Sequence, residues 1–353
     1  MSEFGIEPIA VLRATALGDF VFSIPALLAL RAAYPRAEIC LLGRPWHAGF
    51  LRDRPGPVDR VIVVPPSRGV RDEPGAGEDG PELEAFFARM RAERFDVALQ
   101  MHGGGRWSNP FTTRLGARLT AGCRARDAPA LDRWIAYVYR QPEIARCLEV
   151  AGLAGAAPVT LEPVITVVAA DLEEAAPFTS ADPFAVLHPG ATTPRRRWSP
   201  EHFATVGDAL AAEGLSVLVT GTGPERSLLD NVVAAMKAPA LIVCDALSLG
   251  GLAALLSRAD VVVSNDTGPL HLAGAVGAPT VGIFWIGDLV NSGPLSRANH
   301  RPVASFRVKC PVCGARNVET SCGHDVSFVD EAPVGEVLEA ALELANGSPP
   351  NCR

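Results

Sequence analysis

Short apolar, β-branched runs alternate along this chain with longer stretches whose apolar positions recur every three or four residues. Residues 9–12 read as a buried strand, and a turn through Thr15, Leu17 and Gly18 leads into a helix from Asp19 or Phe20 to about Ala33. Residues 37–42 and 60–64 read as the next strands, and a helix over 82–94 precedes a strand over 97–101. Residues 65–81 hold five glycine or proline positions from Pro74 onward (Pro74, Gly75, Gly77, Gly80, Pro81) after Pro65, Pro66 and Gly69, among acids, which predicts a mobile surface loop. Residues 169–183 interrupt the alternation with acids, alanine and proline and are expected to link two domains.

The pattern then restarts. Strands are predicted over 185–187, 216–220, 240–243, 261–264 and 280–284, with helices over 200–213, 224–236, 249–257 and 269–276 between them. Strands separated by helices at this spacing make βαβ units and a parallel sheet. The expected fold is therefore α/β, with two Rossmann-like domains whose parallel sheets face a central cleft. The boundaries are residues 1–170, a linker over 171–183, a second domain over 184–335, and a C-terminal helix and tail over 336–353. No short-period repeat suggests a solenoid.

Composition narrows the function classes. The 353 residues are 48% hydrophobic, enough for two buried cores. Acidic residues outnumber basic ones by 39 to 32, so nucleic acid is not expected as a partner. The longest apolar stretch, 273–287, is broken by Gly274, Gly277, Pro279 and Gly282, short of the roughly 18 residues that span a bilayer. Glu3 and Glu7 stand where a secretory signal carries basic residues, so a cytoplasmic location with at most peripheral membrane contact is expected. The eight cysteines are scattered, and in a reducing compartment most read as thiols.

Four segments carry candidate chemistry, three of them at strand-to-helix junctions. In Arg13-Ala14-Thr15-Ala16-Leu17-Gly18-Asp19, Asp19 can act as a base toward a hydroxyl or simply cap the helix. The segment lacks the Gly-x-Gly-x-x-Gly spacing of a dinucleotide site. In the second segment, 188–201, Thr192 and Thr193 followed by Arg195, Arg196 and Arg197 form either a diphosphate cradle or a solvated charge run. The third, 220–226, is a glycine turn in which Glu225 can accept from ribose hydroxyls, a weak signal alone. The fourth, 264–275, places Asp266, Thr267 and Gly268 at the mouth of a sheet, with His271 on the first turn of the next helix.

These strings resemble the heptosyltransferase-like glycosyltransferases of family 9. The likeness runs through Gly18-Asp19, Ile24-Pro25-Ala26-Leu27, His188-Pro189-Gly190, Arg196-Arg197-Trp198 and above all Ser264-Asn265-Asp266-Thr267-Gly268-Pro269-Leu270-His271. The resemblance implies a GT-B fold, inversion at the anomeric carbon and no required metal or cofactor. It implies a nucleotide-diphosphate sugar donor, ADP-linked, and a glycan, protein or lipid-linked acceptor. Asp19 is implied as general base. Thr192, Thr193, Arg196 and Glu225 are implied around the nucleotide and its phosphates, and Asp266, Thr267, Gly268 and His271 around the donor sugar and phosphate. Thr15, Gly18, His102 and Arg106 fall on the acceptor side, where residues 102–109 can equally be a plain loop.

Two departures stand out. Arg196 occupies a position where the family usually has lysine, and residues 284–289 replace a Gly-Pro-Thr-Asp-Pro-like turn, which leaves the donor sugar open. Cys310-x-x-Cys313 with Cys322 and His324 has a spacing compatible with a structural zinc, or with unliganded thiols. A non-catalytic nucleotide-sugar or glycan-binding protein and a sugar-nucleotide epimerase of similar shape are the competing readings.

Overall fold

The computed structural model describes residues 7–72, 80–179, 183–318 and 322–347. The chain divides into two compact units, Met1–Thr166 and Val167–Arg353.

In unit 1, β1 (Ile9–Leu12), α1 (Leu17–Ala33), β2 (Ile39–Gly43), α2 (Pro45–Leu51), β3 (Arg60–Val63), α3 (Pro81–Glu93) and β4 (Val97–Gln100) come first. They are followed by α4 (Ser108–Arg114), β5 (Leu119–Arg124), β6 (Arg133–Ala136) and α5 (Glu143–Leu153). The six strands are all parallel, in the order β3-β2-β1-β4-β5-β6. Unit 2 begins with α6 (Ala169–Ala175), β7 (Phe184–His188), α7 (Pro200–Ala212), β8 (Ser216–Gly221), α8 (Arg226–Ala235), β9 (Ala240–Cys244) and α9 (Leu249–Ser257). It continues with β10 (Val261–Asn265), α10 (Gly268–Ala275), β11 (Thr280–Trp285), α11 (Ile286–Ser292), β12 (His300–Ser305) and α12 (Val334–Ala345). Its order, β12-β11-β10-β7-β8-β9, is again wholly parallel and repeats the arrangement of unit 1. In each sheet the order reverses between the two central strands, the place where open α/β sheets bind ligands beyond the carboxyl ends of their strands.

The central strands are continuous apolar runs because helices cover both faces. Every residue of β1, β7 and β10 is buried, and Val261-Val262-Val263 supplies the β-branched side chains such a strand needs. The edge strand β6 is mostly exposed, and β12 contains Pro302, which an edge tolerates. Neither these edges nor the short helices α2, α4 and α11 show a clear apolar period, and the sequence reading passed over them along with β5 and α5. Among the described residues no helix is long and apolar enough to cross a membrane.

Three expectations need correction. The expected linker carries secondary structure, α6 and a 3-10 turn over Ala176–Phe178, and both fall within unit 2. The α6 helix packs on α9, where the Glu174 carboxylate accepts from the Ser248 backbone and hydroxyl. The described part of the expected mobile loop is packed. Val70 is 2% exposed in the unit 1 core, and Gly69, at φ +66°, lies where a side chain would strike the Trp107 ring. The remaining positions of that loop, 73–79, lie outside the described residues. The C-terminal helix starts at Val334 and buries Val337, Ala341 and Leu344 in the core of unit 2, so it belongs to that core.

Close approach of β5 to β4 fixes the loop that carries His102. A Cβ on Gly122 would come within 2.6–2.7 Å of the Gln100 side chain and carbonyl oxygen. Gln100 in turn donates to the carbonyls of His102 at 2.7 Å and Gly103 at 3.2 Å. Gly122→Ala should cost about 1–3 kcal/mol through overpacking, read as a fall of several degrees in Tm. A Tm unchanged from wild type would contradict this account of the loop.

Candidate functional site

In unit 1 the site grows from Arg13, the residue directly after β1. Its side chain is 2% exposed and turns back over the mouth of the sheet. Nε donates to the Asp19 carbonyl at 2.8 Å, and Nη1 donates to the Met101 carbonyl and to Glu143 Oε1, the latter at 2.9 Å. Nη2 lies 3.6 Å from Asp19 Oδ1. Glu143, on the first turn of α5, also pairs with the buried Arg146. The result is a charge relay, Arg146–Glu143–Arg13–Asp19, with only its last member open: the Asp19 side chain is 46% exposed. Ala16 is the N-cap of α1 and Asp19 sits in the first turn, so Asp19 is not the cap residue.

His102 follows β4, the other central strand. Its Nδ1 is buried without a hydrogen-bond partner, as is the Thr15 hydroxyl. Burial, reinforced by the charges of Arg13 and Arg44 and opposed by Asp19 and Asp72, lowers the His102 pKa to about 4. His47, fully buried on α2 and stacked on Trp46, is lowered to about 3 by the same burial, despite accepting from the Arg44 backbone N–H at 2.9 Å. Both imidazoles are neutral near pH 7. Thr15, Gly18, Asp19 and His102 thus gather at the switch point of the sheet. Arg106 stands apart, exposed, with Asp127 at 3.9 Å and the Trp107 ring at 5.5 Å.

In unit 2 two clusters form. Around the ends of β7 and β8, His188 Nδ1 contacts the Thr220 hydroxyl at 3.1 Å, and burial lowers the His188 pKa. Glu225 accepts from the Thr222 backbone N–H and hydroxyl at 3.0 and 2.9 Å. Its other oxygen lies so near Gly190 that a Cβ there would meet it at 2.2 Å, which is why a glycine stands at 190. Thr192 is exposed, and the Thr193 hydroxyl accepts from the Arg195 N–H at 3.4 Å to start a 3-10 turn.

The second cluster surrounds Asp266, 3% exposed just past β10. Its Oδ1 is 3.0 Å from His271 Nε2, and its Oδ2 accepts from the Ser292 hydroxyl at 3.0 Å and lies 3.8 Å from Arg196 Nη1. Burial pushes the Asp266 pKa up, but His271, Arg196 and Ser292 together carry it below the ordinary carboxylate value. Arg196, 42% exposed, also pairs through Nε with Asp288 at 3.0 Å. Asp288 is raised by burial against that pairing. Thr267 is the N-cap of α10 and Gly268 its first residue, so the Gly268 N–H points outward from the helix start.

The structure therefore brings Arg196, Asp266 and His271 together. It does not gather the three arginines into one cradle. Arg195 donates to the Cys322 carbonyl at 3.0 Å and to Asn317, and Arg197 donates twice to the Ala191 carbonyl, at 3.0 and 2.8 Å. Sequence reasoning gave no role to Glu143, Arg146, Asp288 or Ser292, and of these only Asp288 lies in a segment it singled out, 284–289. It also left Asn265 without a role. That side chain, fully buried, donates to Pro189 O at 2.8 Å and accepts from Trp198 N at 3.1 Å, tying the two loops together.

Cys310, Cys313, Cys322 and His324 place their ligand atoms within 4.8 Å of one another. Hydrogen bonds from the His324 backbone and side chain hold the Cys322 thiol down at about 6. A surface cavity of about 980 Å³ lies at the amino ends of β8 and β9, the sheet edge opposite these clusters, and none of the candidate residues lines it.

Comparison with known proteins bears on this arrangement. The family model described as "Glycosyltransferase family 9 (heptosyltransferase)" matches residues 83–311. Lipopolysaccharide heptosyltransferase 2 of Salmonella typhimurium is 25% identical over 359 residues, covering 95% of this chain and 98% of the relative. The crystal structure of a family 9 glycosyl transferase from Veillonella parvula superimposes with a TM-score of 0.81 at 20% identity, covering 98% and 99% of the two chains. The ADP-heptose lps heptosyltransferase II structure from E. coli gives 0.73 at 19% identity, covering 96% and 98%.

The buried histidines predict the pH dependence of stability. The unfolded chain takes up their protons near pH 6.5, whereas folded His102 and His47 resist protonation until about pH 4 and 3. Below pH 6.5 the unfolded state therefore binds more protons, and stability falls as pH drops toward 4, by up to about 1.4 kcal/mol per pH unit for each such group. Urea melts at pH 7.5 and 5.0 should show a lower midpoint at pH 5.0, and His47→Leu should flatten the difference. Equal midpoints for wild type would refute the neutral-imidazole assignment.

Proposed function

The chain belongs to glycosyltransferase family 9, and on that premise we propose that it transfers a heptose, or a closely related sugar, from an ADP-linked donor to a hydroxyl of a lipopolysaccharide-type glycan, with inversion and with Asp19 as base. The donor and acceptor follow the Salmonella and E. coli relatives, whose names state lipopolysaccharide and, for the E. coli structure, ADP-heptose.

One observation carries the reading: the half-exposed Asp19 carboxylate is held by the buried Arg13 at the switch point of unit 1. A sugar hydroxyl is a poor nucleophile at neutral pH, and a fixed carboxylate can take its proton as attack proceeds. Arg13 hydrogen-bonds the Asp19 backbone carbonyl and lies 3.6 Å from Oδ1, which leaves Oδ2 for the acceptor. Thr15 and the neutral His102 are assigned to the acceptor side beside Asp19. Gly18 lets the acceptor approach the start of α1, and Arg106 is assigned an outer acceptor contact.

For unit 2, the donor diphosphate is assigned to Arg196, the Gly268 N–H and the hydroxyls of Thr192, Thr193 and Thr267. As the bond to the anomeric carbon breaks, negative charge grows on the leaving diphosphate, and donors already oriented toward it stabilise it without reorganising. Asp266 and Asp288 orient Arg196 through Nη1 and Nε, and its exposed edge remains for phosphate. His271 is assigned to the donor sugar and Glu225 to the nucleotide ribose. A single displacement of this kind inverts the anomeric centre, because attack comes from the face opposite the leaving group.

Two variants separate the roles. Asp19→Asn should lower kcat by about 10²–10⁴ with ADP-heptose and a lipopolysaccharide-core acceptor, while the donor Kd stays within about twofold. Arg196→Ala should weaken donor binding by roughly 10–100-fold, the value of a charge-assisted hydrogen bond. Calorimetry and a transfer assay read the two effects. Full turnover by Asp19→Asn would remove Asp19 as base, and an unaltered donor Kd for Arg196→Ala would remove the phosphate role.

A further inference from the structure

The three cysteines and one histidine beyond β12 take no part in the proposed transfer step, yet they converge. Their ligand atoms lie within 4.8 Å of one another, and Cys310 Sγ is 3.8 Å from His324 Nδ1. A tetrahedral metal with bonds of about 2.0–2.3 Å sets its ligand atoms roughly 3.5 Å apart, close to this packing. The first two ligands come from a tight hairpin. Cys310 N donates to Ala315 O and Gly314 N donates to Cys310 O, both at 2.9 Å, and Gly314 takes φ +72° to close the turn. Three thiols and an imidazole suit zinc.

The same segment holds both neighbours of Arg196. Arg195 donates to the Cys322 carbonyl at 3.0 Å and to Asn317 Oδ1, which also accepts from Cys322 N at 3.1 Å. The Arg195 guanidinium lies 4.5 Å over the Phe328 ring, and Phe328 N donates to Arg195 O at 2.8 Å. The Ser327 hydroxyl donates to Arg197 O at 2.7 Å. Residues 195 and 197 are therefore fastened to the chain that carries Cys322 and His324, and Arg196 is held between them.

We propose that Cys310, Cys313, Cys322 and His324 bind a structural zinc ion that locks residues 195–197 in place. The site stands on this geometry and does not rest on the transferase reading. Its consequence for Arg196 is positional: removing the metal frees Cys322 and Asn317, and with them the anchor of Arg195.

Metal analysis of full-length protein from zinc-replete cells should find about one zinc per chain. Cobalt replacing it should give the thiolate charge-transfer and intense visible bands of a tetrahedral site. Cys313→Ser, on the exposed turn, should lose the metal while retaining the fold. Removing zinc from wild type by a chelator should raise tryptic cleavage after Arg195, Arg196 and Arg197 by roughly tenfold, mapped by mass spectrometry and independent of any transfer assay. Protein free of metal, iron in place of zinc, or a disulfide among these cysteines in a reduced preparation would overturn the zinc assignment. Bound zinc with unchanged cleavage at 195–197 would overturn the lock. The wild-type measurements decide both points should Cys313→Ser fail to fold.

Discussion

In a parallel sheet every strand ends on the same edge, and where the order reverses the two central strands send their connections to opposite faces. The backbone just beyond them is left uncovered, and in both units the candidate residues stand there. β1 and β4 deliver Arg13, Asp19 and His102, and β7 and β10 deliver His188, Gly190 and Asp266. The two sheets share one strand order, so the same uncovered edge arises twice from the same topology.

Putting charge at such an edge requires that its buried part be held. The two units solve this in opposite senses. In unit 1 the buried group is a cation, Arg13, which donates to two carbonyls and to Glu143 and keeps its Nη2 3.6 Å from Asp19 Oδ1. In unit 2 it is an anion, Asp266, surrounded by an imidazole, a hydroxyl and a guanidinium. Removing one member of a buried pair commonly costs about 3–5 kcal/mol, because the survivor keeps its charge without its partner. In each case the other member, Asp19 or Arg196, is the partially exposed one, with side chains 46% and 42% exposed.

Much of this was legible in the sequence because the central strands are apolar runs that end in short polar strings. Val261 to Asn265 followed by Asp266, Thr267 and Gly268 announces a strand, a turn and a helix start, and the structure places them so. The partners were not legible. Glu143 reaches Arg13 from 130 positions away, and Asp288 and Ser292 reach the cluster from a helix with only a weak signal of its own. The arginine triplet misled for a related reason. Three adjacent like charges look like one patch, but successive side chains in a turn point in different directions, and the structure spends Arg195 and Arg197 on separate carbonyls. The helix within residues 169–175 was not legible because α6 is short and acidic: Asp171 caps its own N-terminus and Glu174 reaches Ser248, with no apolar stripe to mark the helix.

Hydrogen exchange of the full-length protein with and without saturating ADP tests most directly where the donor is held. The account predicts slowed exchange in peptides spanning 188–197, 220–226 and 264–272, with no matching change along the amino ends of β8 and β9. Protection confined to unit 1, or to the groove beside Phe178 and Lys237, would contradict it.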